Sequence, residues 1–307
     1  MVQGVVTGHF SYDAFMSDYD EFAYLEENLA EWGLERPRPH VRRAFVAVEG
    51  LRHVSALVWG EGPPELVLIH GGAQNAHTFD TVALALQRPA VAIDLPHHGH
   101  SDASFYGARA PLEHASDVAA AISELTIPPL PLVAMSYGGL VGIVIAHEHP
   151  ELISQLVLID ITPGVNASNA RHILDFIDGP ESFANFDEIL ACTSAFNPGR
   201  SQTSLRRGVL HNAVERPDGT WVWRHQQHGR ASLQPTTDID LWQLLQEIAV
   251  PVTLVRATGP SSVVGDEDVE EFVRRRPQDQ IIDVVGASHS IQGSHPLELA
   301  QILHHLL

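Results

Sequence analysis

The stretch LPLVAMSYGGLVG, residues 130–142, puts Ser136 at the end of an apolar run, with Gly138 and Gly139 close behind it. A serine there could be an ordinary residue of a strand-to-helix turn. It could also be a nucleophile held on a tight elbow, its hydroxyl lifted clear of the backbone. The second reading requires a base, an acid to orient the base, and two backbone donors for an oxyanion. Small residues two before and two after the serine let strand and helix meet closely, and here they are Ala134 and Gly138, giving A-x-S-x-G. The base is expected on a late loop. VVGASHSIQGSHP supplies His289 directly after an apolar run, whereas His295 abuts a proline-started helix and reads as a surface or capping residue. One oxyanion donor is the amide after the serine, that of Tyr137. The other is expected in HGGAQN, where Gly72 is the first choice and Ala73 the second.

The elements around these residues alternate. VRRAFVAVEG and HVSALVWGEG suit an antiparallel edge, and ELVLIH is a short apolar run of the kind buried in parallel sheets. Helices are expected over about 77–88, 112–125 and 138–149, interleaved with the strands AVAID, PLVAM and SQLVLID. This order implies a parallel sheet with helices on both faces, whose ligands sit at the carboxyl ends of the strands. The alternation lapses over 161–248, which reads as helices and loops carrying Trp221, Trp223 and Trp242. It resumes with PVTLVRA, DEDVEEFVRRR, QIIDVVGA and PLELAQILHHLL. The expected division is an acidic helical extension over 1–40, a core over 41–160 and 249–307, and a cap over 161–248.

Together, LVLIHGG, AIDLPHHGHSD, LVAMSYGG, LVLID and VVGASH resemble the α/β-hydrolase superfamily. The resemblance implies a mostly parallel eight-stranded sheet with helices on both faces and a helical cap inserted after strand six. It also implies that DLPHHGHSD is a structural loop, so that His97, His98 and His100 are not expected to hold a metal. The acid is where the chain departs from the family. Members usually carry an Asp in the turn after strand seven, but that turn here reads RATGPSSVVGDED. Asp266 and Asp268 follow it, and N-capping of a helix is enough to explain them. Asp160 ends the strand LVLID, 24 residues after Ser136 (160 − 136), which brings both to the same edge of neighbouring strands. Some lipases and haloalkane dehalogenases resemble this arrangement. Asp160 is therefore the expected acid, with Asp266 and Asp268 as alternatives.

The resemblance implies a serine hydrolase that needs no cofactor. Phe176, Phe183, Phe186, Phe196 and the TWVWRHQQ segment suggest an apolar pocket for a medium-sized hydrophobic ester or lactone. Two rivals stand beside this reading: a carbon–carbon bond hydrolase of a diketone, and a non-catalytic ligand receptor or interaction protein. The formal net charge of −20 disfavours nucleic acid and anionic membrane surfaces as partners. Cys192 is the only cysteine, the first residues do not read as a signal peptide, and no run of about 18 apolar residues occurs. A cytoplasmic location is expected. Homo-oligomerisation through the N-terminal helices or the cap is a further expectation.

Overall fold

The computed structural model describes residues 19–104, 111–165, 167–226 and 239–307. Eight strands form the main sheet: β1 (Val41–Val48), β2 (Arg52–Trp59), β3 (Leu66–Ile69), β4 (Ala90–Ile93), β5 (Leu130–Met135), β6 (Ile153–Ile159), β9 (Val252–Ala257) and β10 (Gln280–Val284). Their spatial order is β1-β2-β4-β3-β5-β6-β9-β10. Only β2 runs against its neighbours, pairing antiparallel with β1 and β4. Strands β3 and β4 are buried along their whole length, as continuous aliphatic runs in a sheet covered on both faces must be.

Period-two alternation divides those side chains between two cores. Val67, Ile69, Leu132, Ala134, Leu156 and Leu158 face one side. They pack under α3 (Pro111–Leu125) and α4 (Tyr137–Glu148), with α8 (Leu241–Glu247) and α9 (Asp266–Arg275) beside them. Leu66, Leu68, Val133, Met135, Val157 and Ile159 face the other side. There they meet α1 (Leu25–Glu31), α2 (Asp80–Leu86), α10 (Ile291–Ser294) and α11 (Pro296–Leu306). Leu245 of α8 is fully buried in the α3–α4 core, so this last helix before β9 is bound to the sheet side of the molecule.

Between β6 and α8 lie α5 (Ala167–Ile177), α6 (Phe186–Phe196) and α7 (Gln202–Asn212), followed by a hairpin of β7 (Ala213–Glu215) and β8 (Trp221–Trp223). The hairpin was not expected from the sequence. Its strands are three residues long, and WVW is buried throughout, so no alternation marks it. Phe183, Ile189, Val209, Trp221 and Trp223 form a small separate core here. The extension helix α1 joins both parts: Leu25 and Leu29 pack in the sheet core, while Glu27 and Glu31 hold Arg207 of α7. The part of the expected N-terminal helices that includes Phe15 lies outside the described residues. Among the described residues, no helix is long and apolar enough to cross a membrane.

Candidate active site

The strand order makes β3, β5, β6 and β9 neighbours, so the residues just past their carboxyl ends share one edge. Ser136 occupies the junction of β5 and α4 with φ +51° and ψ −125°, a conformation costly for a residue with a side chain and typical of functional turns. The turn closes only because α4 can approach the sheet. A Cβ at Gly138 would lie 2.2 Å from the His70 carbonyl oxygen. The alanine that stands in the elbow's first small position is accommodated because Gly142, one turn along α4, faces it; a Cβ there would lie 3.1 Å from that of Ala134.

His289, in the loop after β10, lies with Nε2 2.9 Å from Ser136 Oγ. Its Nδ1–H donates to Asp160 Oδ2 at 2.8 Å. A carboxylate oxygen accepts, so the proton sits on Nδ1 and Nε2 faces the serine as acceptor. Asp160 is fully buried and accepts three further hydrogen bonds. The Ala257 amide and Ser262 Oγ donate to Oδ1 at 3.0 and 2.7 Å, and the Val263 amide donates to Oδ2 at 3.1 Å. The loop after β9 thus supplies donors to a carboxylate at the end of β6. Asp266 and Asp268 are not brought to His289. Asp266 is exposed and pairs with Arg256 at 2.7 Å. Asp268 accepts from the Gly265 amide at 2.9 Å and from Thr162 Oγ1 at 3.1 Å, closing the first turn of α9.

Of the two glycine-loop amides considered, that of Ala73 is already engaged, donating to His98 Nε2 at 3.0 Å. The Gly72 N–H has no acceptor among the described residues, and a Cβ at Gly72 would lie 3.7 Å from that of Tyr137. Gly72 therefore flanks the first residue of α4. Two histidines that sequence reasoning did not assign to the site brace this loop. His70 donates to the Gly71 carbonyl at 2.7 Å and accepts from the Leu95 amide at 3.0 Å. His98 donates from Nδ1 to the Pro96 carbonyl at 3.0 Å. Burial pushes both rings below the ordinary histidine pKa, consistent with neutral rings that donate at one nitrogen and accept at the other. His97 contacts the Ser104 carbonyl at 3.0 Å, and the His100 amide donates to Asp94. The triple-histidine loop is thus tied into the scaffold.

The cap is fastened to the same loop. Asn75 Nδ2 donates to the His211 carbonyl at 2.9 Å, and Asn212 Nδ2 donates to the Ala73 carbonyl at 2.6 Å. Beneath this seam lies a buried charge network. His77 lies between Glu21 Oε2 at 3.1 Å and Asp80 Oδ2 at 3.0 Å, and its ring stacks on that of His211 at 3.9 Å and 9°. Arg43 joins Glu21 to Asp94, reaching Asp94 Oδ2 at 2.7 Å. His77, Asp80 and His211 are the one group of three possible metal-ligating residues among the described residues. The parallel rings, however, aim their in-plane lone pairs along parallel planes and not at one point, and both His77 nitrogens already face carboxylates.

Burial works against a charge on His77, but Asp80 and Glu21 outweigh it and raise its pKa from 6.5 to about 9. A raised pKa contributes stability that is complete below about 6.5 and is lost as pH climbs through about 9. The expected result is a melting temperature that falls over this window, with a loss of about 3 kcal/mol. His77→Gln should lower stability at pH 6 and flatten the decline, as read by thermal unfolding across pH; an equal slope in the variant would contradict this assignment.

The edge opens into a cavity of about 1090 Å³ between sheet and cap. Ser136 and His289 line it together with Leu140, Phe176, Phe196 and Trp223. A nucleophile-type hydroxyl, an acceptor imidazole, a buried carboxylate and glycine-loop amides at the mouth of such a cavity can support acyl transfer. A model of the alpha/beta hydrolase family matches residues 66–302, and the chain belongs to that family. It is 36% identical over 303 residues to esterase Rv0045c of Mycobacterium tuberculosis, covering 96% of this chain and 98% of that one. The crystal structure of that esterase superposes with a TM-score of 0.82, covering 95% and 99% of the two chains. A 3-hydroxybutyrate-oligomer hydrolase of Cupriavidus necator is 26% identical over 83% of this chain and 93% of its own.

Proposed function

We propose that the protein is a serine hydrolase that cleaves a carboxylic ester or lactone of medium size through an acyl-enzyme. The observation that carries this reading is the unbroken chain Ser136 Oγ, His289 Nε2, His289 Nδ1, Asp160 Oδ2, with links of 2.9 and 2.8 Å, at the wall of the cavity. Likeness to a mycobacterial esterase over nearly the full length supports the bond type. Ser136 attacks the carbonyl carbon as its proton passes to His289 Nε2. Asp160 holds the ring in the required tautomer and stabilises the imidazolium. The amides of Gly72 and Tyr137 receive the oxyanion, the latter aided by the N-terminal end of α4. His289 returns the proton to the leaving alcohol. Water then attacks the acyl-enzyme with His289 again as base. Phe176, Phe196 and Trp223 give the cavity an apolar wall from the cap, which suits an aliphatic or aromatic arm of the substrate.

The test is a panel of p-nitrophenyl acyl esters followed by stopped flow and intact mass. Saturable turnover with an initial burst, and a transient mass increase equal to the acyl group, is the expected result. Folded protein that leaves every ester intact, yet cleaves a vinylogous diketone, would replace this reading with carbon–carbon bond hydrolysis.

A further inference from the structure

The same cavity holds a cation that the hydrolytic chemistry does not use. Arg200 lies in the loop between α6 and α7 and lines the cavity with Ser136 and His289. Its guanidinium packs on Gly293, four residues along from His289. A Cβ at Gly293 would lie 3.1 Å from both Cζ and Nη1, so the glycine leaves the space that the guanidinium fills. Nη2 donates to Ser204 Oγ at 2.7 Å. Nε is shielded from solvent and has no acceptor among the described residues.

A buried donor left without an acceptor is unfavourable, the more so on a charged group. The neighbouring charges do not relieve it. Arg207 already holds Glu27 at 3.0 Å and also Glu31, and Arg206 lies 3.8 Å from Glu27. The Glu31 carboxylate accepts from Ser201 as well. The neighbouring carboxylates, Glu27 and Glu31, are thus held by Arg207 and Arg206, and Arg200 has no ion pair of its own among the described residues. Asp80, on the cavity wall, faces His77 and His211 instead, at 3.0 and 3.9 Å. Burial, with the like charge of Arg207, pushes the Arg200 pKa down while Glu31 acts the other way, the behaviour of a cation without its own counterion. The protein as a whole is strongly acidic, at −20, so a guanidinium without its own carboxylate at the cavity wall stands out against the overall charge.

We propose that Arg200 binds the free carboxylate at the far end of the substrate, which makes the preferred substrate an ester bearing a carboxylate. This rests on the ester-hydrolase reading above. A single guanidinium matches a single carboxylate, whereas a phosphate dianion would stay half uncompensated. A guanidinium offers paired N–H donors in a planar fork that matches the two carboxylate oxygens. The apolar wall of Phe176, Phe196 and Trp223 then takes the other, uncharged arm.

The experiment compares monomethyl esters of linear dicarboxylic acids with methyl esters of monocarboxylic acids of equal length, using wild type, Arg200→Gln and Arg200→Lys. A phosphate-terminated ester serves as the dianion control. In the wild type, kcat/KM for the best half-ester should exceed that of its neutral partner by roughly 10- to 100-fold. Arg200→Gln should bring this ratio close to one through KM, and Arg200→Lys should keep part of it. A wild-type ratio near one, a ratio untouched by Arg200→Gln, or a stronger preference for the phosphate ester would overturn the proposal. Calorimetric titration of monomethyl adipate into Ser136→Ala separates the two readings. Binding that disappears when Arg200→Gln is added, with no turnover of any ester by wild type, would uphold the anion subsite and sink the hydrolase assignment. Turnover of neutral esters without anion preference would do the reverse.

Discussion

Asp160→Asn is expected to lower kcat for ester hydrolysis by roughly 1,000- to 10,000-fold. The reason lies in the donors around the carboxylate. Ala257 and Ser262 converge on Oδ1, so an amide in this site keeps its oxygen there. The amide NH2 then faces the Val263 amide and His289 Nδ1, which lie 3.1 and 2.8 Å from the present Oδ2. Two donors would confront it. His289 can accept at Nδ1 only by moving its proton to Nε2, and an imidazole protonated at Nε2 cannot take the proton of Ser136. The unmatched Val263 donor should also cost about 1–3 kcal/mol of stability. Kinetics on one ester, paired with a thermal melt, read both effects. A variant retaining a tenth of wild-type kcat would show that Asp160 is only a structural anchor.

His289→Ala is expected to cost more activity and less stability. Removing the base should lower kcat by about 10,000-fold or more, since groups that act as a unit fail together. Asp160 keeps three of its four hydrogen bonds in this variant, so the melting temperature should shift far less than in Asp160→Asn. The vacated space borders the cavity, and added imidazole should restore part of the rate in a concentration-dependent way. A rate that stays near wild type without imidazole would remove His289 from the mechanism.

The parts of this site that could be read along the chain are those announced by a local signal. Ser136 is flanked by small residues at the end of an apolar strand, His289 follows an apolar strand in a late loop, and Asp160 ends another such strand. The sheet was legible for the same reason: buried parallel strands are short aliphatic runs separated by helical periods. What could not be read depends on contacts between distant segments. Ser262 has no motif, and its role follows from β6 and β9 being neighbours. His70 and His98 are two of 19 histidines, and only the folded loops show them bracing the glycine turn. The network of Glu21, Arg43, His77 and Asp94 draws on four separate segments. The hairpin of β7 and β8 is buried on every WVW residue and so lacked the alternation that marks a half-exposed strand.

The proposed function requires Ser136 to be an activated nucleophile. Its most direct test is a fluorophosphonate probe applied to the folded wild-type chain, with the labelled peptide mapped by mass spectrometry. Rapid labelling of one residue per chain is expected, located at Ser136 within LPLVAMSYGGLVG and slowed by several orders of magnitude in His289→Ala. Labelling confined to another residue, or labelling of Ser136 at the same rate in wild type and His289→Ala, would contradict it.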